Sequence, residues 1–238
     1  MTAELITTEQ GKVQTIKAPE GSQIDIANRF AEDAKARLRY VMAEKKWFGF
    51  NGKCWREDTT GHVRDLIKEG LARISIGVRG SEAYARALAS HRTLAGVEQI
   101  AQVDRRLAGT VEQWDADPTL LCTPGGIVNL ADGTVRPAAP EDYCRKSTMV
   151  APAEPGTPFP NWRKVLDNLT GGDQELERYY QKLAGYCLFG EQREKGFFIP
   201  VGETDSGKTT AFETWLSIMG DYATAATVDT FLDVLRRP

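Results

Sequence analysis

Residues 202–209 read Gly-Glu-Thr-Asp-Ser-Gly-Lys-Thr, which satisfies the spacing Gly-x-x-x-x-Gly-Lys-[Ser/Thr] of a phosphate-binding loop. The chemistry follows from the residue types. A triphosphate needs many donors at close range, and a loop with little side chain can wrap it and aim backbone N–H groups inward. A helix that starts at the loop adds the positive end of its dipole. On this reading Gly202, Glu203, Thr204, Asp205, Ser206, Gly207, Lys208, Thr209 and Thr210 bind the nucleotide. Lys208 reaches the β- and γ-phosphates as a point charge, and the Thr209 hydroxyl ligates Mg²⁺. The expected cofactors are therefore ATP and Mg²⁺. Asp205 cuts the other way, because a carboxylate in the loop repels a triphosphate unless it faces solvent or a metal. The plain alternative is a glycine-rich turn with a solvated lysine.

Such a loop must sit between a strand and a helix. Phe197, Phe198, Ile199 and Val201 make the short apolar run of a buried strand, with Pro200 as a blemish because it removes a ladder donor. Phe212, Trp215, Leu216 and Met219 recur at helical spacing, and Gly220 can close the helix. A nucleotide-hydrolysing enzyme also needs an acidic residue on a neighbouring strand and several further strands. After Thr209 the sequence supplies one helix, a linker and a second short helix around Phe231, Leu232 and Leu235. No catalytic residue is expected within this chain. It reads as the N-terminal part of a longer protein, inactive as an ATPase by itself. A small phosphate-loop kinase would need a lid and a sheet after the loop, which these residues do not provide.

Upstream, residues 1–22 are polar and end in Pro-Glu-Gly-Ser, the texture of a mobile leader. From Asp25, Ala27, Phe30, Ala34, Leu38 and Val41 share one helical face, capped by Ser22 or Asp25. Lys35, Arg37, Arg39, Lys45 and Lys46 gather positive charge near the end of that helix, either as a solvated face or as a DNA contact. Asn51-Gly52 between aromatic runs signals a hairpin. Its residues Trp47, Phe48, Phe50 and Trp55 could stack on bases but more commonly pack a hairpin against a helix. Val63, Leu66, Ile67 and Leu71 suggest a short helix, and residues 81–109 one long helix or two. From 110 the texture changes. Leu120–Cys122 and Ile127–Leu130 look like strands joined at Gly125-Gly126, and residues 150–160 read as a proline-rich connector. Two helices follow, one behind Asn161 as cap and one starting near Asp173 and stopping at Gly190.

The composition sets outer bounds. Hydrophobic residues are 41% and charged residues 26% of 238, ordinary for a globular chain and too apolar for a disordered one. No run approaches the length of a membrane-spanning helix, and the N-terminus carries no secretory signal, so no membrane partner is expected. With a net charge of −3, nucleic-acid contact must come from a local patch or from subunits pooling their charge. Cys54, Cys122, Cys144 and Cys187 are far apart with no Cys-x-x-Cys pair, which argues for reduced thiols rather than a zinc site.

At this point the order of motifs resembles a known family, the phage and plasmid primase–helicases whose C-terminal half is a superfamily 3 helicase, related to the poxvirus primase–helicase. The resemblance runs through Asp25–Phe30, Leu38–Val41, the hairpin from Trp47 to Trp55, Trp114-Asp115, Leu120–Leu130, Asp132-Gly133, Pro140–Tyr143, Pro160–Trp162 and Gly185–Gly190. It implies a hexameric ring that hydrolyses ATP and translocates on single-stranded or forked DNA during replication. The region before the loop would be a collar for oligomerisation and DNA engagement. Where the family commonly has a second glycine and an asparagine, this chain has Thr204 and Ser206.

The implied fold is α+β: a helix-rich N-terminal and collar region with small β-hairpins, leading into the start of an α/β AAA+-like ATPase domain that is truncated. The expected divisions are 1–22, a leader; 23–110, helical with the aromatic hairpin; 111–195, a collar of short strands and two helices; and 196–238, the start of the ATPase domain. The implied location is the cytoplasm of a bacterium or phage-infected host cell. The competing reading is a non-enzymatic DNA- or protein-binding module that keeps a vestigial loop.

Overall fold

The computed structural model describes residues 4–5, 14–15, 18–77 and 82–227. Most of the expected leader lies outside the described residues, as do the expected short helix around Phe231, Leu232 and Leu235 and the pair Arg236-Arg237. Among the described residues the chain is α+β, with seven α-helices and nine short strands. Contacts divide it into two units, residues 1–51 with 55–114, and residues 52–54 with 115–238.

In the first unit, Glu4–Leu5 (β1) pairs antiparallel with Gln14–Thr15 (β2). Ser22 caps α1 (Gln23–Ala34): its Oγ accepts from the Asp25 N–H at 3.2 Å, while the Asp25 carboxylate accepts from the Gly21 N–H at 3.0 Å. Ile26, Ala27, Ala31 and Ala34 form the buried face. The expected helical face is too long. Leu38 and Val41 belong instead to β3 (Leu38–Val41), which runs antiparallel to β4 (Lys46–Phe50). Helical spacing could not tell the two apart, because apolar residues three apart also fall in a strand that is buried along most of its length. The decision is tertiary: β3 has ladder partners on both sides, and Tyr40 and Val41 suit a pleated surface. The basic residues therefore spread out. Lys35 caps α1, Arg37 lies in the turn, Arg39 is on β3, Lys45 takes a left-handed turn position (φ 56°), and Lys46 on β4 pairs with Glu57 at 2.8 Å.

The hairpin expected at Asn51-Gly52 joins β4 to β5 (Trp55–Glu57). Asp58 then caps α2 (His62–Gly77), accepting from the N–H groups of Thr60, His62 and Val63 at 2.8–3.1 Å. Residues 81–109 resolve into α3 (Glu82–Leu88), α4 (His91–Gln102) and β6 (Ala108–Gly109), which lies parallel to β3. Successive strand residues face opposite ways. Trp47 enters the helix-side core with Tyr40, Ile26, Val63, Ile67 and Val97, whereas Phe48 packs on Trp114 at 5.2 Å. Trp55 also stacks on Trp114, and the Arg39 guanidinium lies 5.1 Å from the Trp55 ring centre. The hairpin aromatics Trp47, Phe48 and Trp55 are thus buried in packing.

In the second unit, β7 (Leu120–Thr123), β8 (Gly126–Asn129) and β9 (Val135–Arg136) form an antiparallel meander. Gly126, at φ 130°, must be glycine, because a Cβ there would stand 2.2 Å from the Arg136 carbonyl oxygen. The residues of the connector at 150–159 form neither helix nor strand. Next comes α5 (Pro160–Thr170), with Phe159 as cap and Pro160 in the first turn. Asn161 lies inside the helix rather than capping it, since proline's fixed φ already suits the first helical position. Asp173 caps α6 (Gln174–Leu188), and Arg163 ties α5 to α6 through Glu177 at 2.6 Å.

Candidate nucleotide-binding loop

The last helix, α7 (Lys208–Met219), starts within the motif. Gly207 is its cap, in a left-handed conformation (φ 82°, ψ 4°) against α5, where a Cβ would meet the Val165 carbonyl oxygen at 3.6 Å. The first i to i−4 bond runs from the Ala211 N–H to the Gly207 carbonyl at 2.9 Å. The N–H groups of Lys208, Thr209 and Thr210 therefore precede the helical ladder, as at any helix N-terminus. Tyr180 of α6 holds the helix edge-on against Phe212 at 6.4 Å and Trp215 at 6.2 Å.

The far end of α7 is fastened to the strand region. The Met149 N–H donates to the Ile218 carbonyl at 2.9 Å, and the Ser147 N–H donates to Asp221 at 3.1 Å. The Tyr222 hydroxyl donates to the Lys146 carbonyl at 3.2 Å and accepts from the Cys122 N–H of β7 at 3.1 Å. Burial pushes this phenol well above the usual tyrosine range. Gly220 is pressed against the same segment, with Ser147 O only 2.8 Å from where a Cβ would be. Nothing in the sequence pattern marks Ser147, Asp221 or Tyr222 as partners of the loop helix.

The structure brings Gly202, Glu203, Ser206 and Lys208 together. Lys208 Nζ donates to Gly202 O at 3.0 Å, to Glu203 O, and to Ser206 Oγ at 2.8 Å. Thr204, Asp205, Thr209 and Thr210 are exposed around this ring. Asp205 stands at φ 62°, a left-handed position that aspartate tolerates better than most residues. The expected strand before the loop does not form. Phe197, Ile199 and Val201 are 83%, 70% and 89% exposed, without ladder partners among the described residues. An apolar run becomes a strand only beside another strand, and Pro200 removes one donor of its own.

The cysteines also differ from their spacing in sequence. Cys54, Cys122 and Cys144 meet in one buried cluster with Ile127, while Cys187 is exposed. The Cys122 Sγ donates to the Lys53 carbonyl at 3.4 Å. Hydrogen bonding with the Cys144 side chain, together with burial, pushes the Cys122 thiol up to about 11.

The model of the family described as D5 N terminal like matches residues 27–171, well over half of the chain. The chain belongs to this family. Its members carry the N-terminal domain of primase–helicase proteins, so the resemblance to phage and plasmid primase–helicases is borne out. The D5 N terminal like segment opens in α1, takes in the β3–β6 sheet and the β7–β9 meander, and ends just after α5. The phosphate-loop motif lies beyond it. No curated protein matches the chain. Among the described residues, no helix is long and apolar enough to cross a membrane.

Proposed function

We propose that this chain is the N-terminal part of an ATP-dependent replicative DNA helicase of the primase–helicase kind. In this reading residues 202–210 hold ATP with Mg²⁺, and the region before them serves oligomerisation and engagement of single-stranded or forked DNA. The observation that carries it is a conjunction. A D5 N terminal like region is followed by a complete phosphate-loop motif whose Gly207 caps a helix beginning at Lys208.

The residues suit a nucleotide. Lys208 supplies an ammonium, and its carbonyl partners are weak competitors for it against a phosphate oxygen. The N–H groups at the start of α7 point out of the helix as anion donors, and Thr209 presents an exposed hydroxyl for a hard cation. ATP bound with Mg²⁺ supplies the phosphoanhydride whose cleavage drives translocation. This chain's share is to bind and orient that group. Hydrolysis also needs an acidic residue on a neighbouring strand, so the test of this reading is nucleotide binding rather than turnover.

The second reading, a binding module with a vestigial loop, draws on the way Lys208 is folded back onto Gly202, Glu203 and Ser206. Titration of the chain with a fluorescent ATP analogue in Mg²⁺ separates the two. The helicase reading expects saturable binding that weakens at least tenfold in Lys208→Ala. Equal binding by the variant and the wild type removes the nucleotide role and leaves the module.

A further inference from the structure

Helices α5, α6 and α7 leave a cavity of about 330 Å³ between them. Its walls are largely aromatic: Phe159 and Trp162 at the start of α5, Tyr180 of α6 and Trp215 of α7, with Leu166 and the Gln181 amide between them. Tyr180 stands edge-on to Trp215 at 6.2 Å. Among the described residues of the lining, Glu177 is the one carboxylate, and Arg163 already takes both its oxygens at 2.7 and 2.6 Å. The cavity therefore suits a flat, neutral group with a polar edge rather than an ion. Two contacts relate it to the loop. Gly207 packs on α5, where a Cβ would meet the Val165 carbonyl oxygen at 3.6 Å, and the next residue, Leu166, is a wall of the cavity. From Lys208 to Trp215, another wall, α7 climbs about 10 Å. A nucleoside triphosphate sets its α-phosphate and ribose between the phosphates gripped by a loop and its base, a tether of that order.

We propose that this cavity receives the base of the nucleotide held at residues 202–210, with Trp162 as its stacking surface and Gln181 reading the base edge. The inference rests on the nucleotide-binding reading above and adds to it a contact that distinguishes a nucleotide from a bare polyphosphate. An aromatic face stacks on any base, and each stacked base is worth about fivefold to a hundredfold in affinity. The Gln181 amide carries a donor beside an acceptor, the pair that matches N6 and N7 of adenine, and such a pair is worth about fivefold or more.

The test is calorimetric titration of the 238-residue chain in Mg²⁺ with ATP and with inorganic tripolyphosphate, for wild type, Trp162→Ala, Gln181→Ala and Lys208→Ala. The wild type is expected to bind ATP at least about fivefold tighter than tripolyphosphate. Trp162→Ala loses that preference and Gln181→Ala narrows it about fivefold, both because ATP binding weakens while tripolyphosphate binding stays as it was. If Trp162→Ala loses tripolyphosphate as well, the helix packing has been disturbed, and Gln181→Ala, at an exposed position, decides alone. A wild type that binds both ligands equally overturns the base site and leaves the loop reading standing. So does an unchanged preference in Gln181→Ala, or in a Trp162→Ala that still binds tripolyphosphate. If the wild type binds neither ligand, or Lys208→Ala binds both as the wild type does, the loop reading itself fails and takes this inference with it.

Discussion

Replacing Tyr222 with phenylalanine removes one oxygen and tests how the loop helix is held. That hydroxyl serves two backbone groups more than seventy residues away, accepting from the Cys122 N–H and donating to the Lys146 carbonyl. The Lys146 carbonyl can turn to water, so its loss costs little. The Cys122 N–H sits on a residue with no exposed surface and loses its acceptor. An unsatisfied group of this kind costs about 1–2 kcal/mol. For a unit of this size that is a fall in Tm of roughly 3–10 °C. Fluorescence alone mixes the two units, because Trp47, Trp55 and Trp114 sit in the first and Trp162 and Trp215 in the second. Hydrogen exchange of the peptide carrying Cys122, followed across a urea series, reads the second unit directly. The sign with pH is also set. The folded state raises the phenol's pKa, so unfolded chains lose the proton first as pH climbs past about 10. Wild-type stability falls from there upward, and Tyr222→Phe lacks that part of the decline. A variant within about 0.5 kcal/mol of wild type, with unchanged exchange at Cys122, would show that this hydroxyl does not fasten α7.

Two further substitutions probe the frame. Asp58→Ala strips the cap of α2 and should lower the stability of the first unit by about 1–2 kcal/mol in urea unfolding. Burial works to raise the Asp58 pKa, but hydrogen bonds from Val63, His62 and Thr60 outweigh it and hold the carboxyl below its ordinary value. The cap is therefore present above about pH 4 and is lost as pH falls further, so the variant and wild type should converge in acid. Gly126→Ala forces a Cβ onto the Arg136 carbonyl at a positive φ and should cost roughly 2–5 kcal/mol, seen as early unfolding of the second unit.

Local signals were legible where one residue decides the outcome. Ser22 and Asp173 mark helix starts, and Gly125-Gly126 marks the turn between β7 and β8, because capping and positive φ are settled by nearest neighbours. The helix that follows the loop motif was legible from its own apolar spacing. Position 38–41 was not, since its strand character comes from partners that arrive from elsewhere in the chain. The apolar run at 197–201 misled in the opposite sense: it has strand composition without a neighbouring strand among the described residues. The link from Tyr222 to Cys122 spans 100 residues, and the meeting of three cysteines spans three segments. Neither leaves a spacing rule in the sequence.

The cysteine cluster bears on where this protein can be cut. The second unit is discontinuous: residues 52–54 belong to it although they are spelled out in the middle of the first. A fragment beginning at Asp115 would lack Cys54, leaving a gap beside Cys122 and Ile127, and would lack the Lys53 carbonyl that takes the Cys122 thiol proton. During synthesis the three-residue insert emerges long before β7 and β8, and must wait for them. The two halves are thus not interchangeable cassettes. A recombination that joined a foreign first unit to this loop helix would have to carry a matching Gly52–Cys54 with it to keep the packing around Cys122.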